Sequence, residues 1–185
     1  MEYNFGEVKY KKSIIVINGK GGSGKDTLIK YFMEYSGLRC INISSIDPIK
    51  QLLISIENWD GVTKTNEIRK KLSDLKAQHP EIVKDWLEKY LKYFKSNNDD
   101  IMFVHIREPK EIDNFINYVK RNYEFPAISV LVKSNRTDDN YYGNTSDDDV
   151  EKYEYDFEYM NNDEIELSCK KFICFMKGLI CDDNF

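Results

Sequence analysis

Nine consecutive residues, Gly19-Lys20-Gly21-Gly22-Ser23-Gly24-Lys25-Asp26-Thr27, concentrate the chemistry of this sequence. A glycine, four residues and then Gly-Lys is a spacing suited to holding a phosphate. The glycines let successive backbone N–H groups turn inward around an anion. A helix starting at the lysine adds its partial positive charge, and the Lys25 ammonium reaches the outer phosphates. Asp26 stands where a Ser or Thr hydroxyl usually meets Mg²⁺, and Thr27 follows it. The chemistry implied is the binding of a polyphosphate by Gly19, Gly21, Gly22, Ser23, Gly24, Lys25, Asp26 and Thr27.

Such a loop works only between a rigid strand and a helix. Ser13 to Asn18 is a short β-branched run with polar ends, the pattern of a strand buried on both faces. Leu28, Ile29, Phe32 and Met33 recur at helical spacing behind the loop, and Gly37 marks a stop. The alternation then repeats. Strands are expected at Arg39–Ile43, Ile101–Ile106, Ala127–Lys133 and Tyr155–Met160. Helices are expected from Asp47 to about Ile56, with Asp47 as N-cap and Pro48 as its first residue, and at Thr65–Gln78, Pro109–Arg121 and Ile165–Lys177. Between Ile82 and Phe94 the apolar residues mark a further amphipathic helix, separated from the one before by His79-Pro80. Strands alternating with helices predict a mostly parallel sheet whose ligand crevice lies at the carboxyl ends of its strands.

The whole composition agrees. A chain of 185 residues, 41% hydrophobic and 32% charged, is sized for a single domain over residues 1–185 with one main site. A net charge of −5 removes the positive field that holds a nucleic-acid backbone, so no nucleic-acid partner is expected. No apolar run approaches the roughly 20 residues that span a bilayer, and no secretory signal is visible, so a cytoplasmic location without membrane contact is expected. Cys40, Cys169, Cys174 and Cys181 form no CxxC pair and no zinc-type spacing with His79 and His105, and read as reduced thiols.

The stretch Gly24-Lys25-Asp26-Thr27 resembles the loop of small-molecule and nucleotide kinases of the adenylate-kinase-like group. Its Gly-Lys-Asp form is similar to that of deoxynucleoside monophosphate kinases and phosphomevalonate kinases. Ser45-Ile46-Asp47-Pro48-Ile49-Lys50 is similar to their acceptor-side segment after the second strand, and Trp59-Asp60-Gly61 leads into a helix carrying Arg69. The resemblance implies a three-layer P-loop NTPase fold, with a five-stranded, mostly parallel sheet in the order 2-3-1-4-5 and helices on both faces. It also implies a helical acceptor-binding insert at 45–95 and a lid at 134–149.

The activity implied is ATP-dependent transfer of the γ-phosphate to a small phosphorylated acceptor, a nucleoside or deoxynucleoside monophosphate, with ATP and Mg²⁺ as cofactors. Under the resemblance Lys25, Asp26 and Arg107 are catalytic, and Arg136 opens the lid that meets the donor. Asp47, Lys50 and Arg69 hold the acceptor, and Asp26 and Glu108 organise Mg²⁺ through water. Asn161-Asn162-Asp163 resembles the turn near which such kinases hold the adenine. The expected partners are small-molecule nucleotides, and the expected assembly is a monomer or homodimer.

Two features depart from that pattern. The third strand, ending in His105, Arg107 and Glu108, carries no Asp where relatives place a metal-linked one. In the lid Asp138, Asp139, Asp147, Asp148 and Asp149 outnumber the basic residues, while Lys64, Arg69, Lys70, Lys71 and Lys76 gather elsewhere. Both departures suit an alternative, an ATP-binding regulatory or interaction protein of the same fold with weak or no transfer activity. Phosphomevalonate kinase is the other alternative. No NKxD guanine reader is present, which disfavours a GTPase.

Overall fold

A computed structural model of the chain describes residues 10–63, 65–137 and 150–181. The chain divides into two compact units, Met1–Asn42 with Asn98–Phe185, and Ile43–Asn97.

The first unit is built on β1 (Ser13–Asn18), whose every residue is buried, as the unbroken apolar run requires of a central strand. It lies between β3 (Ile101–His105) and β4 (Ala127–Lys133), parallel to both, with Ile15 opposite Phe103 on one side and Ile128 on the other. With β2 (Cys40–Ser44) and β5 (Phe157–Met160) the sheet order is β2-β3-β1-β4-β5. This is the 2-3-1-4-5 order that the resemblance implies, with helices on both faces.

Alternation along the strands sends Ile15, Ile17, Phe103, Val130 and Val132 into one core. There they meet Leu28, Ile29 and Phe32 of α1 (Lys25–Tyr35) and Phe172, Met176 and Ile180 of α6 (Ile165–Ile180). Phe32 stands edge-on to Phe103 at 5.6 Å, an arrangement that aligns ring edge with ring face. On the opposite side α5 (Pro109–Asn122) packs its buried Ile112, Phe115, Ile116 and Val119 beside β4.

The second unit contains α2 (Asp47–Glu57), α3 (Asn66–Gln78) and α4 (Pro80–Ser96), the segment set apart in sequence at 45–95. Ile49, Leu53, Leu72 and Val83 form its core, flanked by Ile46, Trp59, Ile68 and Leu75. Proline at the first position of α4 explains the break after α3, because its missing N–H is harmless only there.

Several boundaries shift by one to three residues from expectation, and three of the shifts have a local reason. Helix α2 begins at Asp47 itself with Ile46 as N-cap, so Asp47 does not cap it. Its carboxylate instead accepts from the Ser44 N–H at 2.9 Å. Strand β5 begins two residues later than expected because the Asp156 carboxylate takes both the Ser129 N–H and hydroxyl at 2.7 Å, where strand pairing would otherwise run. Helix α6 continues past Gly178 because Ile180 is fully buried in the core. Among the described residues no helix is long and apolar enough to cross a membrane.

Candidate functional site

Because β1, β3, β4 and β5 run parallel, the residues following them emerge at one edge of the sheet. There the loop after β1 is held from several directions. The side chain of Asn18 closes the strand. Its Oδ1 accepts from the Gly19 N–H at 2.9 Å, while its amide donates to the Tyr155 hydroxyl at 2.8 Å and the Arg107 carbonyl at 3.3 Å. Gly19 tolerates no side chain, since a Cβ there would lie 2.5 Å from the Val132 carbonyl oxygen and 2.7 Å from the Ser23 hydroxyl. Gly24 begins α1 in the left-handed conformation, φ 83° and ψ 7°, and a Cβ on it would run into the Asn161 amide.

One hydroxyl of the resulting cradle stands out. Ser23 is 1% exposed, yet its hydroxyl is one of two buried side-chain polar atoms without a hydrogen-bond partner among the described residues. Buried hydroxyls are rarely left so, which marks this position beside the loop as one to be explained by what the loop binds. Lys25 is 9% exposed at the N-terminal turn of α1, with its Nζ 3.7 Å from the Asp26 carboxylate. Asp26 and Thr27 face solvent in the same turn. Backbone amides, the helix N-terminus and a half-sequestered ammonium favour a multiply charged anion.

Neighbouring segments complete the edge. Arg136, in the 3₁₀ turn Asn135–Thr137 after β4, donates from Nε to the Ser134 hydroxyl at 3.0 Å and from Nη2 to the Asn161 carbonyl at 2.8 Å. Lys20 pairs with Glu151 at 3.3 Å. The Tyr155 hydroxyl donates to the Val150 carbonyl at 2.9 Å, and burial pushes its titration well above the ordinary tyrosine range, so it stays a neutral donor. Asn18, Lys20, Glu151 and Tyr155 were missed in sequence. Asn18, next to the motif, and Lys20, within it, had a positional signal, whereas Glu151 and Tyr155 had none.

At the end of β3, His105 Nε2 lies 2.9 Å from Asn42 Oδ1. Arg107 and Glu108 are half-buried, and Glu108 starts α5, its carbonyl accepting from Glu111 and Ile112. Among the described residues no group of three or more His, Cys, Asp or Glu could hold a metal by itself. An ion at this edge would need phosphate oxygens and water beside the carboxylates of Asp26 and Glu108, which is ordinary for Mg²⁺.

The expected acceptor residues belong to the helical unit. Lys50 is bound to Asp47 at 2.7 Å along the first turn of α2, and Arg69 lies half-buried in the first turn of α3. The structure therefore joins two of the three to each other. Lys64 of the basic cluster and Asp138, Asp139, Asp147, Asp148 and Asp149 of the expected lid lie outside the described residues.

No family model matches the sequence, and no curated protein does. Solved structures match across nearly the whole chain. The tunicamycin resistance protein of Deinococcus radiodurans is 13% identical with a TM-score of 0.57, over 90% of this chain and 96% of that one. A Chloroflexus aurantiacus protein of provisional kinase assignment is 8% identical with a TM-score of 0.55, over 91% of this chain and 98% of that one. The likeness supports the fold, a five-stranded parallel sheet in the order 2-3-1-4-5 with helices on both faces. At such identities it reaches the arrangement of strands and helices alone. The chemistry of this P-loop fold has to be argued from its own residues.

Proposed function

We propose that the protein is an ATP-dependent phosphotransferase acting on a small phosphorylated acceptor, with a nucleoside or deoxynucleoside monophosphate fitting best. The observation that carries the reading is the loop itself: a glycine-hinged cradle opening α1, with Lys25 sequestered at its mouth and the Ser23 hydroxyl buried without a partner. A polyphosphate satisfies all of these groups at once.

In the transfer, an oxygen of the acceptor attacks the γ-phosphorus of ATP, the bond to the β–γ bridging oxygen breaks, and ADP leaves with that electron pair. Lys25 stabilises the charge on the transferring phosphoryl group, and the loop amides with Thr27 hold the inner phosphates. Arg107 adds positive charge from the end of β3, and Arg136 meets the donor from the 3₁₀ turn. Asp26 and Glu108 would hold Mg²⁺ through water, and the ion would neutralise charge on the β- and γ-oxygens. Asp47, Lys50 and Arg69 would position the acceptor, the guanidinium of Arg69 suiting a bidentate grip on a phosphate. Catalysis then rests on positioning and charge, with no protein nucleophile.

A second reading draws support from β3. Its end offers Glu108 but no Asp for the metal, which suits a nucleotide-binding regulatory protein with weak or no transfer. Calorimetry with Mg·ATP at millimolar nucleotide tests the shared part of both readings, and absence of binding would defeat them together. An acceptor panel of nucleoside monophosphates, deoxynucleoside monophosphates and phosphomevalonate, scored by ADP release, then separates them. Turnover with one acceptor class supports the transferase and names its substrate. Binding without turnover on any supports the regulatory protein.

A further inference from the structure

Asn161, the first residue after β5, is 5% exposed and uses both ends of its side chain. Its amide nitrogen donates to the Ser23 carbonyl at 2.7 Å, and its amide oxygen accepts from the Ser168 hydroxyl on α6. Chemistry fixes this orientation, because a backbone carbonyl can only accept and the NH₂ group must therefore face Ser23. The backbone of Asn161 is anchored as well: its N–H donates to the Lys133 carbonyl at 2.8 Å, and its carbonyl receives Arg136. A rigid point on the sheet thus reaches across to the centre of the phosphate loop.

The consequence lies in the peptide that joins Ser23 to Gly24. In a trans peptide the carbonyl and the following N–H point in opposite directions. Holding the Ser23 oxygen toward Asn161 therefore holds the Gly24 N–H pointing away from Asn161. The loop alone does not choose this orientation, since glycine at position 24 adopts positive and negative φ with equal ease. We propose that Asn161 is a positioning residue for the phosphate loop, which locks the Ser23–Gly24 peptide so that the Gly24 amide is preset as a phosphate donor. The proposal rests on the reading of the loop as a phosphate site. It adds a residue distant in sequence whose task is orientation and not contact with phosphate.

The test uses inorganic tripolyphosphate, which engages the loop without a base or an acceptor. Asn161→Asp replaces the donating NH₂ with a carboxylate that cannot donate to the Ser23 carbonyl, and Asn161→Ala removes the donor outright. Ser168→Ala removes the other anchor of the same side chain and leaves the Ser23 contact in place. By calorimetry, both Asn161 variants are expected to bind tripolyphosphate about tenfold to a hundredfold more weakly, and Ser168→Ala within about threefold of wild type. In the wild-type protein the Gly24 amide resonance should move on titration with tripolyphosphate, a readout that needs no variant to fold.

Wild-type affinity in both Asn161 variants, an equal loss in all three variants, or a Gly24 amide indifferent to the ligand would each overturn the proposal. The first outcome shows that the Gly24 amide is not set by Asn161, the second that Asn161 is only a structural support, and the third that the Gly24 amide is no phosphate donor. Failure of the functional reading looks different. A wild-type chain that binds tripolyphosphate through Gly24 but transfers no phosphate from ATP leaves Asn161 in place and removes the kinase.

Discussion

Around the phosphate loop polar groups are held from outside the loop, whereas Lys50 and Lys71 of the helical unit pair with carboxylates of their own unit in partly exposed positions. Asn18 is tied to Tyr155, the Ser23 carbonyl to Asn161, Lys20 to Glu151 and Arg136 to the Asn161 carbonyl. In the unit Ile43–Asn97, Lys50 pairs with Asp47 three residues earlier, and Lys71 with Glu57 at 2.6 Å and Glu67 at 3.1 Å. The difference teaches where each kind of work can be done. Stabilising a transition state needs donors that are already in place when charge develops. Gripping a non-reacting phosphate tolerates side chains that first release a partner, because that release weakens binding without moving the reacting atoms.

The largest effect that could break this contrast is at Lys25. Lys25→Met should lower phosphate turnover on the order of 10²-fold or more, with an unchanged far-ultraviolet circular dichroism spectrum. A near-normal rate would mean that the preset edge does not carry the chemistry.

On the helical side Arg69→Ala should raise the KM for the acceptor by roughly tenfold to a hundredfold, the scale of one charge-assisted phosphate contact, and leave that for ATP nearly unchanged. Steady-state kinetics with each substrate varied in turn checks it. Equal rises for both substrates would erase the division of labour.

A smaller effect sharpens the contrast through stability. Tyr155→Phe removes the hydroxyl that serves both Asn18 and the Val150 carbonyl, and should destabilise the fold by about 1–3 kcal/mol in urea unfolding. Its pH dependence has a definite sign. Burial raises the Tyr155 titration in the folded state, so its contribution is complete below the ordinary tyrosine value of about 10 and is lost as pH rises above it. The phenylalanine variant should lack that part of the alkaline loss, and identical wild-type and variant slopes above pH 10 would contradict the assignment.

The smallest effect is expected where the helical unit pairs its own charges. Lys50→Met removes a pair whose side chains are 27% and 34% exposed, and the stability change should stay within about 1 kcal/mol and shrink further in salt. A loss as large as that of Tyr155→Phe would show the two regions to be built alike.

Much of this molecule was legible from its residues alone. The run Ser13–Asn18 became β1 without adjustment, Ala127–Lys133 became β4, and glycines 19 and 24 sit where a Cβ has no room. These features follow from backbone sterics and from apolar periodicity, which act over a few residues and are written in the order of the chain. The capping role expected of Asp47 failed at the same short range, because its carboxylate found the Ser44 N–H one turn back as an equally near partner.

What surrounds the loop was decided by the tertiary structure. Asn161 stands 138 residues from Ser23, and Tyr155 stands 137 from Asn18, yet each pair is bonded. No local property of these residues names the partner each one finds. They meet because β4 pairs with β1 and β5 with β4, all in parallel, which brings Asn161 after β5 to the loop after β1 and the segment leading into β5 to the end of β1. The residues of the loop itself announce that an anion binds. Which side chains hold that loop in shape depends on strand order, a product of how sheet and helices bury their apolar faces together.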